Sequence, residues 1–305
     1  MPVSLSTALT TWQFEPLVAV PAALLACCYL AAAWHCGRRP RASGPRRPGN
    51  FPARLLRGAA AWRQSARPWP DGRTLAFLGG LSAIIVATQG WAGVYDETSL
   101  ADHMVQHLLL VMVAPPLLIA GRPVTLLLHT TGNPWHTRVK RLARSRLVTV
   151  LTWPPTGVAL YSAAVLGTHL TGLLLARGTL HDAEHFLYLA AGYLFFLPVI
   201  GSEPVRWRLP LLGRYLLLLV AMPADIATGA VLMLHGPLGP FAAGDVRAAG
   251  VIMLAGSDLI MAGLAAGLAT ALVTRRARDR TAVPDLAAYN AFLASLDVQP
   301  EPPEA

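Results

Sequence analysis

Seven apolar stretches dominate the chain, at roughly 16–35, 75–94, 102–121, 148–174, 181–200, 211–234 and 250–273. Each approaches the ~20 residues that an α-helix needs to cross a bilayer. In hydrocarbon every backbone N–H and C=O must be satisfied within the protein, which leaves only helices or a closed barrel. Runs of this length select helices. Only 13% of the 305 residues are charged and 54% are apolar. A soluble domain carries about a quarter charged residues, so a soluble globular enzyme is not expected. The expected fold class is all-α: a polytopic integral membrane protein with seven transmembrane helices. Residues 1–274 are expected to form one seven-helix membrane domain and 275–305 a cytoplasmic tail. The connection 36–74, which contains RRPRASGPRRPG, is expected to be a cytoplasmic loop.

The 25 Lys and Arg against 16 Asp and Glu give a net charge of +9. In a soluble protein that excess would suggest nucleic acid. Here it sorts by position instead. Connections 36–74, 122–147 and 201–214, with the tail from Arg275, hold 23 of the 25 basic residues, leaving only Arg177 and Arg247 elsewhere. These four segments lie on one side of a seven-helix path, and the side rich in Lys and Arg is cytoplasmic. The expected topology is N-out/C-in, the expected partner is the lipid bilayer, and no nucleic acid is expected. The opposite side carries Glu15, Asp96, Glu97, Asp102, Asp182, Glu184 and Asp245. The N-terminus lacks a basic region and a small-residue cleavage site, so the first apolar segment is expected to be retained. Cys27, Cys28 and Cys36 have neither metal-site nor disulfide spacing and are read as apolar fillers.

The chemistry lies in the histidines. His35, His129 and His136 fall at or beyond cytoplasmic helix ends and are given no role. The other six reach one outer layer: His103, His107, His169, His181, His185 and His235. In HMVQH (103–107) and HDAEH (181–185) the imidazoles stand four residues apart, which puts each pair on one helix face with Cβ atoms about 5–6 Å apart. Two such pairs entering from one side can converge on one metal ion or two, and imidazole suits copper, zinc and iron. These four are the expected principal ligands, with His169 and His235 as further ligands or entry groups. Glu184 and Asp102 are expected to orient imidazoles.

Asp225 and Asp258 fall near mid-membrane, where an ionised Asp costs on the order of 2.5–3.5 kcal/mol, so each is expected to have a partner and a role. Met104 stands beside His103, Met222 and Met233 flank Asp225, and Met253 and Met261 flank Asp258. Thioether with imidazole favours Cu(I) over zinc, so Met233 and Met253 are counted as supporting groups. Pro115 and Pro116 should break the regular hydrogen bonding of their helix below His107.

The segment DHMVQHLLLVMVAPPLLIAGRPV (102–124) resembles the seven-helix family of bacterial cytochrome c oxidase assembly factors of the CtaG type. A histidine pair, a double proline and then GRP carry the match. HDAEHFLYLAAGYLFFLPVIGSEP (181–204) and the aspartates at 225 and 258 add to it, over roughly residues 75–275. The resemblance implies a role in maturing a haem-copper oxidase, through copper handling at the outer face of the bacterial plasma membrane, with an oxidase subunit as recipient. His103 and His107 match the family's first pair, His181 and His185 its second. An assembly factor of this kind is not an enzyme, but two alternatives stay open. HDAEH matches H-x-x-E-H, in which Glu184 would be the general base of a zinc hydrolase; a di-iron enzyme is its relative in kind. A bis-histidine haem could sit between His107 and His185. P-loops, nucleophile elbows and G-x-G-x-x-G do not occur.

Overall fold

The computed structural model describes residues 10–38, 69–170, 178–204 and 206–296. Among the described residues the regular structure is helical, and the only β feature is an isolated bridge between Leu238 and Phe241. Among the described residues, six helical stretches are long and apolar enough to cross a membrane: Pro16–Cys36, Asp71–Tyr95, Leu100–Thr130, Leu180–Ile200, Leu211–Leu234 and Ala243–Thr274. The expected span 148–174 differs. It is divided at Thr152–Trp153 into helices Arg146–Leu151 and Pro154–Leu170, of which the second has 17 residues. Pro154 and Pro155 lack the N–H that would continue the first helix, so they open a new one. Residues 171–177, with Arg177, lie outside the described residues, as does the Arg-rich run 39–68.

The chain divides into two compact units, Met1–Ile260 and Met261–Ala305. The boundary falls inside one helix, Ala243–Leu296, so the tail from Arg275 continues helical to Leu296. In the first unit the helices are α1 (Pro16–Arg38), α2 (Asp71–Gln89), α3 (Trp91–Tyr95), α4 (Leu100–Leu108), α5 (Ala114–Ala120), α6 (Pro123–Thr130), α7 (Trp135–Ala143), α8 (Arg146–Leu151), α9 (Pro154–Leu170), α10 (Thr179–Ile200) and α11 (Leu211–Leu234). α5 packs between α2 and α10, and α9 packs on α10 and α11. Large apolar side chains such as Leu17, Leu24, Leu219 and Leu234 stay exposed, as a lipid-facing surface requires.

The double proline does not end its helix. Between α4 and α5 a π-helical turn, Leu109–Val113, carries the bonding past Pro115 and Pro116, with the Ala114 N–H donating to Leu109 C=O. Both prolines then occupy the first turn of α5, where a missing N–H costs little. The following Gly121–Arg122 corner is pinned from α1: Tyr29 Oη donates to Gly121 C=O at 2.7 Å, and Trp69 Nε1 donates to that Oη at 2.9 Å. Glu203 locks the same corner from the far side. Its carboxylate accepts from Val124 N and Thr125 N, each at 3.0 Å, and from Thr125 Oγ1 at 2.7 Å. A carboxylate at a helix N-terminus meets both unpaired N–H groups and the positive end of the helix dipole.

α10 reaches the π-turn through Gly192. A Cβ there would strike the carbonyl oxygen of Val111 and come within 2.9 Å of Pro115 Cγ. Gly192→Ala is therefore expected to cost about 1–3 kcal/mol by overpacking. The readout is a lower melting temperature in detergent, while Gly72→Ala, with no atom within 4 Å of its added Cβ, melts like wild type. Equal melting of the two variants would contradict this packing.

Candidate metal centre

α4 begins at a double cap. Ser99 Oγ accepts from Asp102 N at 3.3 Å, and the Asp245 carboxylate accepts from Leu100 N at 2.6 Å and Ala101 N at 3.3 Å. One turn later, His103 and His107 share a buried face of α4 with ring centroids 4.1 Å apart. His181 and His185 do the same on α10 at 4.3 Å. The close approach at Gly192 brings the two faces together, and His103 stacks on His181 at 5.2 Å.

Two groups of three donors result. One is His103, His107 and Glu184; the other is Asp96, His181 and His185. Within each, one atom per residue lies within 4.8 Å of the other two. Glu184 links them, with Oε1 3.9 Å from His107 Nε2 and Oε2 3.8 Å from His181 Nδ1. His181 Nε2 donates to Asp96 Oδ2 at 2.9 Å. Gln106 Nε2 donates to the same oxygen at 3.1 Å and to Ala87 C=O at 3.0 Å.

Five buried atoms of this constellation have no hydrogen-bond partner: His103 Nε2, His107 Nε2, His181 Nδ1, His185 Nε2 and Glu184 Oε1. Leaving a buried polar atom unpaired costs ~1–3 kcal/mol. Within each group, imidazole nitrogens and a carboxylate oxygen that lie within 4.8 Å of one another suit a first-row transition metal, which takes lone pairs from several donors at once. The donor set therefore fits a metal ion. The ring of His107 packs against those of His103 at 4.1 Å, Tyr188 at 4.2 Å and His169 at 5.2 Å.

The other expected residues fall as follows. His169 lies beside His107, with its Nε2 3.3 Å from His107 Nδ1. His235 caps the C-terminus of α11, is exposed and belongs to neither group. Asp102 sits in the capping turn beside Ser99, also outside both groups. Asp225 is 1% exposed and has a partner, Tyr161, whose hydroxyl donates to the carboxylate at 2.9–3.0 Å. Asp258 is half-buried. Met253 is fully buried, and Met233 is exposed and lies against Gly250. Sequence reasoning placed Asp96 on an acidic rim and missed it as a member of a donor group; its position four residues before α4 was the available signal. It also missed Gln106, Tyr161 and Tyr188, whose roles depend on contacts between helices.

A family model described as cytochrome c oxidase caa3 assembly factor matches residues 55–275. The chain is 30% identical over 242 residues to an uncharacterized protein of Mycobacterium bovis, and equally to one of Mycobacterium tuberculosis. Those alignments cover 76% of this chain and 33% of each relative. An uncharacterized protein of Mycobacterium leprae is 27% identical over 237 residues, covering 73% of this chain and 32% of that protein. The chain thus spans about a third of the length of the curated relatives it matches. No solved structure matches it.

Asp96 lies between two spans. Burial works against its charged form, but the bonds from His181 and Gln106 outweigh that and hold its carboxyl below the usual range. A depressed folded value adds stability that is fully present above the ordinary ~3.9 and is lost as pH falls through the lower folded value. Melts of metal-free protein from about pH 6 to about pH 3 are expected to show wild type losing more stability than Asp96→Asn. Parallel losses would contradict the pairing.

Proposed function

This chain belongs to the cytochrome c oxidase caa3 assembly factor family, and we propose that it holds copper at the outer face of the bacterial plasma membrane and hands it to a haem-copper oxidase subunit during assembly. The five unpaired donor atoms between α4 and α10 carry this reading. Copper here is cargo. The centre has to bind the ion, keep water and competing ligands away, and release it to a recipient with a better donor set. His103, His107, His181 and His185 are the principal ligands. Glu184 and Asp96 complete the two groups, and Asp96 also holds His181 in place. With seven spans in an N-out/C-in arrangement the histidines face the compartment from which the oxidase receives copper, and the basic connections face the cytoplasm.

Binding is favoured over hydrolysis by the place of Glu184. In the H-x-x-E-H chemistry the glutamate activates a water beside the metal held by its own two histidines. Here Glu184 joins His103 and His107, while His181 and His185 take Asp96 as their third donor. Glu184 thus acts as a ligand to one group and a link between both.

Detergent-purified protein is expected to retain copper, and His103→Ala/His107→Ala to lose at least ~10-fold of it while inserting and melting like a folded protein. Elemental analysis of the two samples decides. A double variant that holds as much metal as wild type would overturn the assignment, and iron or zinc in place of copper would overturn the choice of cargo.

A further inference from the structure

Both groups described above are built from nitrogen and oxygen. A third set of donors next to them has a different character. His169 Nε2 lies 3.2 Å from Met104 Sδ and 3.3 Å from His107 Nδ1. All three residues are enclosed: Met104 and His107 are 0% exposed and His169 6%.

Hydrogen positions follow from the neighbours. His169 Nδ1 lies 2.7 Å from Val165 C=O, which can only accept, so Nδ1 carries the hydrogen and donates it. Tyr188 Oη and Thr168 Oγ1, each 3.1 Å from the same Nδ1, hold the ring in that orientation. Nε2 is then a bare lone pair. The sulfur facing it carries no hydrogen either, so the 3.2 Å approach joins two acceptors with nothing between them. The neighbour that can donate to this nitrogen is His107, through Nδ1–H.

His107 faces both ways. With its hydrogen on Nδ1, it bonds to His169 and offers a bare Nε2 to the group with His103 and Glu184. With its hydrogen on Nε2, that hydrogen points towards Glu184 Oε1, an unpaired acceptor 3.9 Å away. Nδ1 is then bare, and His169 Nε2 has a second bare imidazole nitrogen and a thioether sulfur within 3.3 Å of it. Metal bonds of ~2.0 Å to imidazole and ~2.3 Å to sulfur set nitrogen and sulfur about 3.5 Å apart at a tetrahedral angle. The present 3.2 Å needs to open by only a few tenths of an ångström.

We propose that His107, His169 and Met104 form a second metal position selective for a soft monovalent cation, Cu(I) or its analogue Ag(I). An ion held there binds His107 Nδ1 while the ring's hydrogen sits on Nε2, towards Glu184 Oε1, so only metal–ligand bonds form and no electron moves. Thioether and imidazole without a carboxylate favour Cu(I) over Zn(II), whereas the outer groups accept either. The inference rests on reading the histidine centre as a metal site, and it adds where the choice of oxidation state is made.

The test is copper-edge X-ray absorption on full-length protein loaded anaerobically with Cu(I), with Zn(II) uptake measured on the same preparations. Wild type is expected to show a sulfur scatterer beside nitrogen. Met104→Leu, close to volume-conserving, is expected to lose the sulfur and to weaken Cu(I) binding ~10-fold, with Zn(II) uptake unchanged. His169→Gln is expected to lose the sulfur as well. A wild-type shell of nitrogen and oxygen alone would overturn this proposal while leaving the histidine centre intact, and it does so whatever the variants yield. A sulfur signal that survives in Met104→Leu would overturn it too. Wild-type protein that takes up no Cu(I) would overturn it together with the reading beneath it.

Discussion

A polar atom buried inside a membrane bundle has no water to turn to, so it must find a partner in the protein or be satisfied by something that binds. That constraint organises the histidine-bearing end of this bundle. Most buried polar groups there are paired: Asp96 with His181 and Gln106, Asp225 with Tyr161, Asp245 with the first N–H groups of α4. Against that background, the unpaired nitrogens of His103, His107, His181 and His185 stand out. Their neighbours are one another and Glu184. They fall into two groups of three donors, each close enough together for one ion.

The scaffold serves that approach. Asp245 and Ser99 fix where α4 starts and so the depth of His103 and His107. The π-turn after Leu108 lets the helix pass the double proline without losing its path, and Gly192 lets α10 close onto that turn. Tyr29, Trp69 and Glu203 hold the corner at the other end. π-turns of this kind recur beside functional sites because they re-aim a few side chains while the helix continues.

Much of this was legible in the residues. Spacing of four placed each histidine pair on one face because helix geometry alone decides it. Long apolar runs gave the membrane helices for the same kind of reason: hydrocarbon admits little else. What the sequence hid was tertiary. Asp96 looked like rim because its contact with His181 depends on α10 arriving beside it. Tyr161 was invisible as the partner of Asp225, 64 residues away. Met104 was visible but not separable from ordinary apolar filling until His169 came to lie on it. The span over 148–174 read as continuous because its apolar character is continuous, yet the two prolines at 154 and 155 set the break. The double proline at 115 and 116 was expected to break the regular bonding of its helix, and the π-turn at Leu109–Val113 is that break, with the chain continuing helical beyond it.

The direct test of copper supply is made on the recipient. In a strain deleted for this protein, the copper content of the purified haem-copper oxidase is measured after restoring either the wild-type chain or His103→Ala/His107→Ala. Copper restored by wild type and missing with the variant is the predicted result. An oxidase equally rich in copper with either chain would contradict it.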